Sequence, residues 1–351
     1  MSIEEVEGPP GAPWQRPMHG TLDRLVVESE LLAGNPLGDP ATRPLWVYRP
    51  PGVELDHPKP LPAVYVIQGY TGAAPMWHNR APFRPTFPEA TDALFAGATV
   101  PPCIVVFVDA WTAYGGSQFV DSPATGRYHS YLCDEVVPFV DGRYRTLASA
   151  AHRGITGKSS GGFGAMITPM LRPDLFGGLA SHAGDALYEL CYIQGFGKVV
   201  RALREYDGSY ERFWEDFASR PPMSKETDGD LVITYGVAAA FSADADGTVR
   251  LPFDLRTGRL VDDIWERWLA WDPVRMVPAH ADALRGLRAI YLDGGTRDEW
   301  YLELGALAFR DALAEIGVTD VACELFEAAH GAIDYRYPRG LAYLAERLAA
   351  A

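Results

Sequence analysis

Short apolar runs of strand length alternate with helical patterns along most of this 351-residue chain. The runs that predict strands are 22–32, 45–49, 62–68, 103–109, 153–157, 178–181, 289–292 and 322–326. Apolar residues at three- and four-residue spacing predict helices at 88–95, 128–144, 162–171, 301–316 and 337–350. Apolar strands separated by helices form a mostly parallel sheet with helices on both faces. The first two strands are expected to add an antiparallel edge.

The alternation breaks between Asp185 and His280, where helical patterns continue and tryptophans and acidic residues are frequent. This segment is expected to be a largely helical insertion above the carboxyl ends of the strands, where it would cap a site. A stabilising excursion that does not touch substrate is the alternative. The predicted organisation is a loose N-terminal arm (1–20), a first core part (21–184), the cap insertion (185–280) and a second core part (281–351).

Charge and cysteine content narrow the class of protein. The net charge of −15 argues against nucleic acid or an anionic membrane as a partner. No apolar run approaches membrane-spanning length, and the acidic opening residues lack the pattern of a signal peptide. Cys103, Cys133, Cys191 and Cys323 include no Cys-x-x-Cys pair, so we expect free thiols. These features predict a cytoplasmic protein. They do not decide whether it is a monomer or a homo-oligomer.

The segment 157–161 (GKSSG) fits Gly-x-Ser-x-Gly, the pattern of a nucleophile elbow. There a strand turns sharply into a helix, and the serine at the apex sits in strained backbone that flanking glycines make accessible. The same letters resemble the end of a phosphate-binding loop, but that loop needs a glycine where this chain has His152. Ser159 is therefore the candidate nucleophile. Lys158 could strengthen the local positive potential, although a salt bridge pointing away from the site is the favoured interpretation.

A serine nucleophile needs a base, and the base works best when an acid orients it. The expected order along the chain is serine, acid, histidine. His330 is the favoured base, because it follows the last strand and precedes the last helix. Asp298, on the loop after the preceding strand, is the favoured acid. The alternatives are His182 and His280 for the base, and Asp293 and Glu299 for the acid.

A tetrahedral oxyanion needs two donors that are already in place. The backbone N–H of Ser160 is the first candidate, and that of Tyr70, on the loop after the strand at 62–68, is the second, with Thr71 as its neighbour. Further side chains follow strands at the same edge of the predicted sheet. Those that could line a substrate pocket are Thr71, Trp77, Tyr114, Gln118 and His182.

Together these motifs resemble the esterase D and putative-esterase family, which includes S-formylglutathione hydrolases, enterochelin and feruloyl esterases, and mycolyltransferases. The segment 159–165 (SSGGFGA) resembles the family's elbow, 45–52 (LWVYRPPG) its second strand, and 131–144 the helix before the elbow strand. The segments 293–301 and around His330 resemble its acid and base regions. The resemblance covers 20–185 and 270–350 and implies the α/β-hydrolase fold. The family usually has histidine at the position of Lys158, and its S-formylglutathione hydrolases have shorter insertions.

The residues and the resemblance together predict a serine carboxylesterase that acts through an acyl-enzyme on a small-molecule ester. Such a hydrolase needs no metal and no organic cofactor. Three alternatives stay open: an acyltransferase of the same fold, a peptidase, and a non-catalytic binding protein built on a hydrolase fold.

Overall fold

The computed structural model describes residues 17–79, 81 and 83–349. Within them the strands are β1 (Thr21–Glu28), β2 (Thr42–Arg49), β3 (Ala63–Ile67), β4 (Ile104–Val108), β5 (Asp121–Ser122), β6 (Gly126–Arg127), β7 (Arg153–Ser159), β8 (Gly178–Gly184), β9 (Ala289–Gly295) and β10 (Ala322–Phe326). β5 and β6 form a short separate pair. The other strands form an eight-stranded sheet in the order β1-β2-β4-β3-β7-β8-β9-β10.

The direction of the strands follows from how they are connected. β1 pairs antiparallel with β2, and β2 pairs antiparallel with β4. From β4 to β10 every neighbouring pair is parallel, because each crossover passes through a helix. The carboxyl ends of β3, β7, β8, β9 and β10 therefore meet at one edge of the sheet, where ligand sites of open α/β sheets form.

The helices flank and cap this sheet. The helices of the core are α1 (Phe87–Ala96), α2 (Tyr128–Ser130), α3 (Val137–Arg143), α4 (Ser160–Leu171), then α11 (Ala281–Arg285), α12 (Leu302–Glu315) and α13 (Tyr337–Leu348). The helices between 185 and 280 are α5 (Tyr188–Cys191), α6 (Ile193–Ala202), α7 (Tyr210–Ser219), α8 (Asp228–Phe241), α9 (Asp262–Leu269) and α10 (Pro273–Met276). Short 3₁₀ turns lie at Ala74–His78, Ala150–His152, Leu203–Tyr206, Val277–His280 and Asp334–Arg336.

Alternate residues of the central strands point to opposite faces of the sheet. On β3, Val64 and Val66 pack into an apolar cluster with α1 and α13, whereas Tyr65 and Ile67 pack into a larger cluster with α4 and α12. β3 and β4 are buried on both faces, which explains why their sequences are apolar throughout instead of alternating. The predicted mostly parallel sheet with helices on both faces is confirmed, and the architecture is that of the α/β-hydrolase fold.

The segment 185–280 shares the larger apolar cluster with the sheet. Phe196 of α6, Leu231 of α8 and Trp268 of α9 are buried in the same cluster as the strand residues. Their hydrophobic contacts continue into the core, so this segment is packed onto the sheet over a broad surface.

One sequence prediction needs correction in detail. The helix expected at 128–144 contains a π-helical turn at Tyr131–Val136. Pro138 follows that turn, and a proline has no N–H for the helical ladder and crowds the preceding turn, which accounts for the irregularity. Of the arm expected at 1–20, residues 1–16 lie outside the described part. The backbone N–H groups of His19 and Gly20 both donate to the Asp92 carboxylate, so these two residues are fixed.

All four cysteines are free, as predicted. Among residues 17–349, leaving out 80 and 82, no helix is both long and apolar enough to cross a bilayer.

Candidate active site

Ser159 lies at a strained turn between β7 and α4. Its backbone has φ 58° and ψ −125°, a conformation that costs a non-glycine residue energy and is typical of functional turns. A Cβ atom on Gly157 would lie 2.5 Å from the Gly161 backbone, and one on Gly161 would lie 2.5 Å from the Ile67 carbonyl oxygen. Only glycine fits at either position, which is the physical reason for the Gly-x-Ser-x-Gly spacing.

The three residues favoured from sequence form one hydrogen-bonded chain. Ser159 Oγ lies 3.2 Å from His330 Nε2. His330 Nδ1 lies 2.8 Å from Asp298 Oδ2. The contacts come from three loops at the carboxyl edge of the sheet, after β7, β9 and β10.

Neighbouring backbone groups fix the acid and the base. Asp298 is buried, and its second oxygen, Oδ1, accepts the Trp300 N–H at 2.8 Å. The His330 N–H donates to Glu299 Oε2 at 2.9 Å. That bond, the largest influence on Glu299, lowers the pKa of its carboxyl. Glu299 therefore contacts the backbone of the base and not its ring.

The other alternative residues lie elsewhere. His182 and Asp293 are fully buried under the sheet edge, with His182 Nδ1 3.0 Å from Asp293 Oδ1. Arg336 donates to the other oxygen of Asp293 at 3.0 Å. Burial opposes ionisation of Asp293, but the charges of His182 and Arg336 outweigh it and lower the pKa of the carboxyl. His280 Nδ1 lies 3.1 Å from the Met170 carbonyl oxygen, outside this cluster.

The predicted oxyanion donors come from two loops that touch at the nucleophile. Ser160 is the first residue of α4, so its N–H has no acceptor within the helix. The loop after β3 packs on the nucleophile, because a Cβ on Gly69 would lie 3.6 Å from Ser159 Cβ. Tyr70 follows and lines the cavity described below. Thr71, with φ 61°, donates its N–H to the Gly115 carbonyl at 2.9 Å and so is not available as a donor.

The Tyr70 side chain joins this loop to α8. Its hydroxyl donates to the carbonyl oxygens of Tyr114 and, at 3.1 Å, of Val232. A methyl group on Gly236 would come within 1.7 Å of that hydroxyl, so the fit is tight. Burial raises the pKa of the phenol far above its usual range.

A cavity of about 370 Å³ opens above Ser159 and His330. Gln118, one of the side chains predicted for the pocket, lines it, and so does Tyr70, which the sequence suggests as an oxyanion donor. The lining residues contributed by the segment 185–280 are Asp185, Cys191, Tyr192, Ile233 and Val237. This segment therefore forms one wall of the cavity.

Four residues predicted for the pocket do not line the cavity. Trp77 is buried in the core, where its ring packs on Phe107 and Tyr337, and its neighbour Met76 reaches the cavity instead. Tyr114 packs against the rings of Trp214 and Tyr235. Thr71 and His182 are engaged in the contacts given above. Thr71, Trp77 and Tyr114 follow β3 or β4, whereas His182 lies within β8 itself. The direction of each side chain depends on packing that a single sequence does not specify.

The surroundings of the Lys158 side chain differ from those predicted from the sequence. Within the described residues no carboxylate lies within ion-pair distance of its ammonium, and the residue lines the cavity beside Ser159. Burial, the largest influence, lowers the pKa of Lys158, and the more distant carboxylates of Asp298 and Asp185 only partly offset it. In the part of the chain that the structure describes, Lys158 therefore does not form the predicted salt bridge pointing away from the site.

Sequence reasoning did not identify Asp185 and Tyr192. Asp185 Oδ1 lies 3.5 Å from Ser159 Oγ, and the Tyr192 hydroxyl donates to Asp185 Oδ2 at 2.8 Å. The signal that could have found Asp185 was its place directly after the strand next to the nucleophile strand. The apolar run at 178–181 predicts that β8 ends at Ser181. The strand instead continues to Gly184 and brings the Asp185 carboxyl group to the edge of the sheet.

Comparisons with known proteins identify the family and the fold. The family model described as "Putative esterase" matches residues 41–316, a span that includes Ser159 and Asp298 and ends before His330. A ferulic acid esterase superposes with a TM-score of 0.59 and 17% identity, covering 94% of this chain and 99% of that one. An S-formylglutathione hydrolase from Agrobacterium tumefaciens superposes with a TM-score of 0.55 and 18% identity, covering 95% of this chain and 98% of that one.

An enterobactin esterase from Shigella flexneri superposes with a TM-score of 0.52 and 16% identity, over 95% of this chain and 60% of its own length. No curated protein sequence shows a significant match. The structural likenesses show a shared fold, and the family match extends over most of the chain. The resemblance found in the sequence is confirmed: this chain belongs to the esterase family, and it is a carboxylic ester hydrolase with the α/β-hydrolase fold.

Proposed function

We propose that the chain is a serine carboxylesterase that works through an acyl-enzyme, with Ser159 as nucleophile, His330 as base and Asp298 as orienting acid. The observation that carries the proposal is the continuous chain of contacts from Asp298 through His330 to Ser159, at 2.8 and 3.2 Å. Both distances are within the range of hydrogen bonds that transfer or orient a proton.

In the first half of the reaction, Ser159 Oγ attacks the ester carbonyl carbon while His330 Nε2 takes its proton. Asp298 keeps the ring proton on Nδ1, so that Nε2 is free to accept, and its charge stabilises the imidazolium. The negative oxygen of the tetrahedral intermediate is held by the N–H groups of Ser160 and Tyr70. Collapse of the intermediate expels the alcohol, which receives the proton from His330.

In the second half, water takes the place of the alcohol. His330 removes a proton from the water as it attacks the acyl carbon, and then returns that proton to Ser159 Oγ. The product acid leaves, and the serine is restored.

The cavity suggests what the ester looks like. A volume of about 370 Å³ accommodates a small ester. Ile233 and Val237 of α8 give it an apolar wall, while Lys158 and Asp185 place polar groups beside the nucleophile. The segment 185–280 is thus proposed to cover the acyl-enzyme and to limit the size of the substrate.

The test is hydrolysis of a short-chain p-nitrophenyl ester by a Ser159→Ala variant. Loss of the nucleophile is expected to lower kcat by about 10⁴-fold or more. Ser149→Ala is the matched control, since Ser149 precedes β7 at the opposite end of the same strand and should leave activity unchanged. A Ser159→Ala variant that hydrolyses the ester at the wild-type rate would show that the mechanism is wrong.

A further inference from the structure

A second carboxyl group lies beside Ser159, and the proposed triad leaves it without a role. Asp185 Oδ1 is 3.5 Å from Ser159 Oγ, at the long limit of a hydrogen bond. Its other oxygen accepts the Tyr192 hydroxyl at 2.8 Å. The backbone is tied as well, because the Asp185 N–H points to the Ser159 carbonyl oxygen at 3.4 Å. The group is therefore held at the reacting oxygen and lines the same cavity.

The number of protons at this point decides what Asp185 can do. The Ser159 hydroxyl has one proton and two neighbours that can accept it, His330 Nε2 at 3.2 Å and Asp185 Oδ1 at 3.5 Å. An ionised carboxylate only accepts hydrogen bonds, so it would compete with the base for that proton. A neutral carboxyl has a proton of its own to donate, and it leaves the serine proton to His330.

The surroundings of Asp185 shift its ionisation toward the neutral form. Burial, the largest influence, raises the pKa of this carboxyl, and the charge of Asp298 adds to the effect. The Tyr192 hydroxyl, the charge of His330 and the Gln118 amide oppose it and do not overcome it. Among the described residues no cation lies within ion-pair distance of its oxygens.

Asp185 is surrounded by titratable or polar groups from several elements. Those from the cap helices are Tyr188, Cys191 and Tyr192, and burial raises the pKa of each well above its usual value, so they stay neutral. Lys158 comes from β7, Gln118 from the loop after β4, Asp298 from the loop after β9 and His330 from the loop after β10. Lys158, whose positive charge is also lost as the pH rises, is a second group that could produce an alkaline change.

We propose that Asp185 acts as a neutral carboxylic acid that donates a hydrogen bond to Ser159 Oγ and thereby directs the serine proton to His330. The inference rests on the proposed function of Ser159. In the acyl-enzyme, Oγ is an ester oxygen that has no proton and can only accept. The same donor then stabilises Oγ as it leaves in deacylation. Asp185 keeps its proton throughout: the bond that forms and breaks joins Oγ to the acyl carbon, and the transferred proton passes through His330.

The experiment is the pH dependence of kcat/KM for a p-nitrophenyl ester. Wild-type activity is expected to fall about tenfold per pH unit at alkaline pH, once Asp185 ionises. Asp185→Asn keeps a donor but cannot ionise. Its activity at neutral pH should stay within about tenfold of wild type, and the alkaline fall should be absent. If Asp185→Asn shows the same alkaline fall as wild type, the proposal is overturned.

Two further variants identify the titrating group. Tyr192→Phe removes a hydrogen bond that favours the carboxylate, so the alkaline fall should move to higher pH. An unchanged position of the fall in Tyr192→Phe would contradict the proposal, and this variant decides the matter if Asp185→Asn does not fold. Lys158→Met should keep the fall; its disappearance there would assign the ionisation to Lys158.

Labelling by a fluorophosphonate separates this inference from the proposed function. Ser159 should react with the probe in wild type and in Asp185→Asn. If wild type is not labelled at Ser159, the proposed nucleophile is wrong. If labelling occurs but the alkaline fall is unaffected by Asp185→Asn and Tyr192→Phe, only the role given to Asp185 is wrong.

Discussion

Replacing Asp298 by asparagine removes the group that sets the tautomer of the base. Both carboxylate oxygens already accept hydrogen bonds, from the His330 ring at 2.8 Å and from the Trp300 N–H at 2.8 Å. An asparagine offers one oxygen and one NH₂ group. If the NH₂ faces the ring, Nδ1 must become the acceptor, and the proton moves to Nε2, which can then no longer accept the Ser159 proton. If the NH₂ faces Trp300 instead, this group and the Trp300 N–H are two hydrogen-bond donors that face each other with no acceptor between them, in a buried place.

The first arrangement costs less, so the expected state is a folded protein with the wrong tautomer. In a serine protease the same change lowers kcat about 10⁴-fold, which corresponds to about 5 kcal/mol of transition-state stabilisation. We expect a loss of about 10³- to 10⁴-fold in kcat/KM for a p-nitrophenyl ester, with circular dichroism and the unfolding midpoint close to wild type.

Glu299→Gln is the matched control, since glutamine can still accept the His330 backbone N–H. It should stay within about tenfold of wild type, the scale of weakening one charge-assisted hydrogen bond. An Asp298→Asn variant with activity within tenfold of wild type would refute the reasoning, and would point to Glu299 as the acid if that control were the inactive one.

The remaining predictions concern residues that support the site from outside the proposed triad. Tyr70→Phe loses the hydroxyl that bonds the carbonyl oxygens of Tyr114 and Val232, and it should lower the free energy of unfolding by about 2 kcal/mol in urea titrations; a change near zero would refute a stabilising role for these bonds. Gly161→Ala places a methyl group 2.5 Å from the Ile67 carbonyl oxygen and should cost about 3 kcal/mol, measured by thermal unfolding. Asp293→Asn leaves a buried guanidinium partly uncompensated and should cost about 3 kcal/mol at pH 7. Because the pKa of Asp293 is depressed in the folded state, this contribution is full above the ordinary carboxyl pKa and is lost as the pH falls through the folded value, so the gap between variant and wild type should close in acid.

The sheet was predictable because its central strands are buried on both faces. Short, continuously apolar runs such as β3 and β4, separated from each other by a helix, are typical of buried strands in a parallel sheet. The elbow was predictable for a related reason, since Gly157 and Gly161 occupy places where no Cβ fits. Asp298 and His330 then followed from chain order and from their places after β9 and β10.

The pocket was less predictable, because its walls depend on the direction of individual side chains. Trp77 and Met76 are neighbours on one short turn, yet the tryptophan packs into the core and the methionine reaches the cavity. Ile233 and Val237 come from α8, about 75 residues beyond the nucleophile, and periodicity does not say which face of that helix turns toward the site. Asp185 was missed because β8 is three residues longer than its apolar run suggested.

The central claim, that Ser159 carries the acyl group, is tested most directly by trapping the intermediate. The enzyme is mixed with excess p-nitrophenyl ester, quenched in acid during turnover, digested and mapped by mass spectrometry. The account predicts that the mass of one acyl group appears on the peptide that contains Ser159, and that it is absent in Ser159→Ala. An acyl group on another residue, or continued turnover by Ser159→Ala, would contradict it.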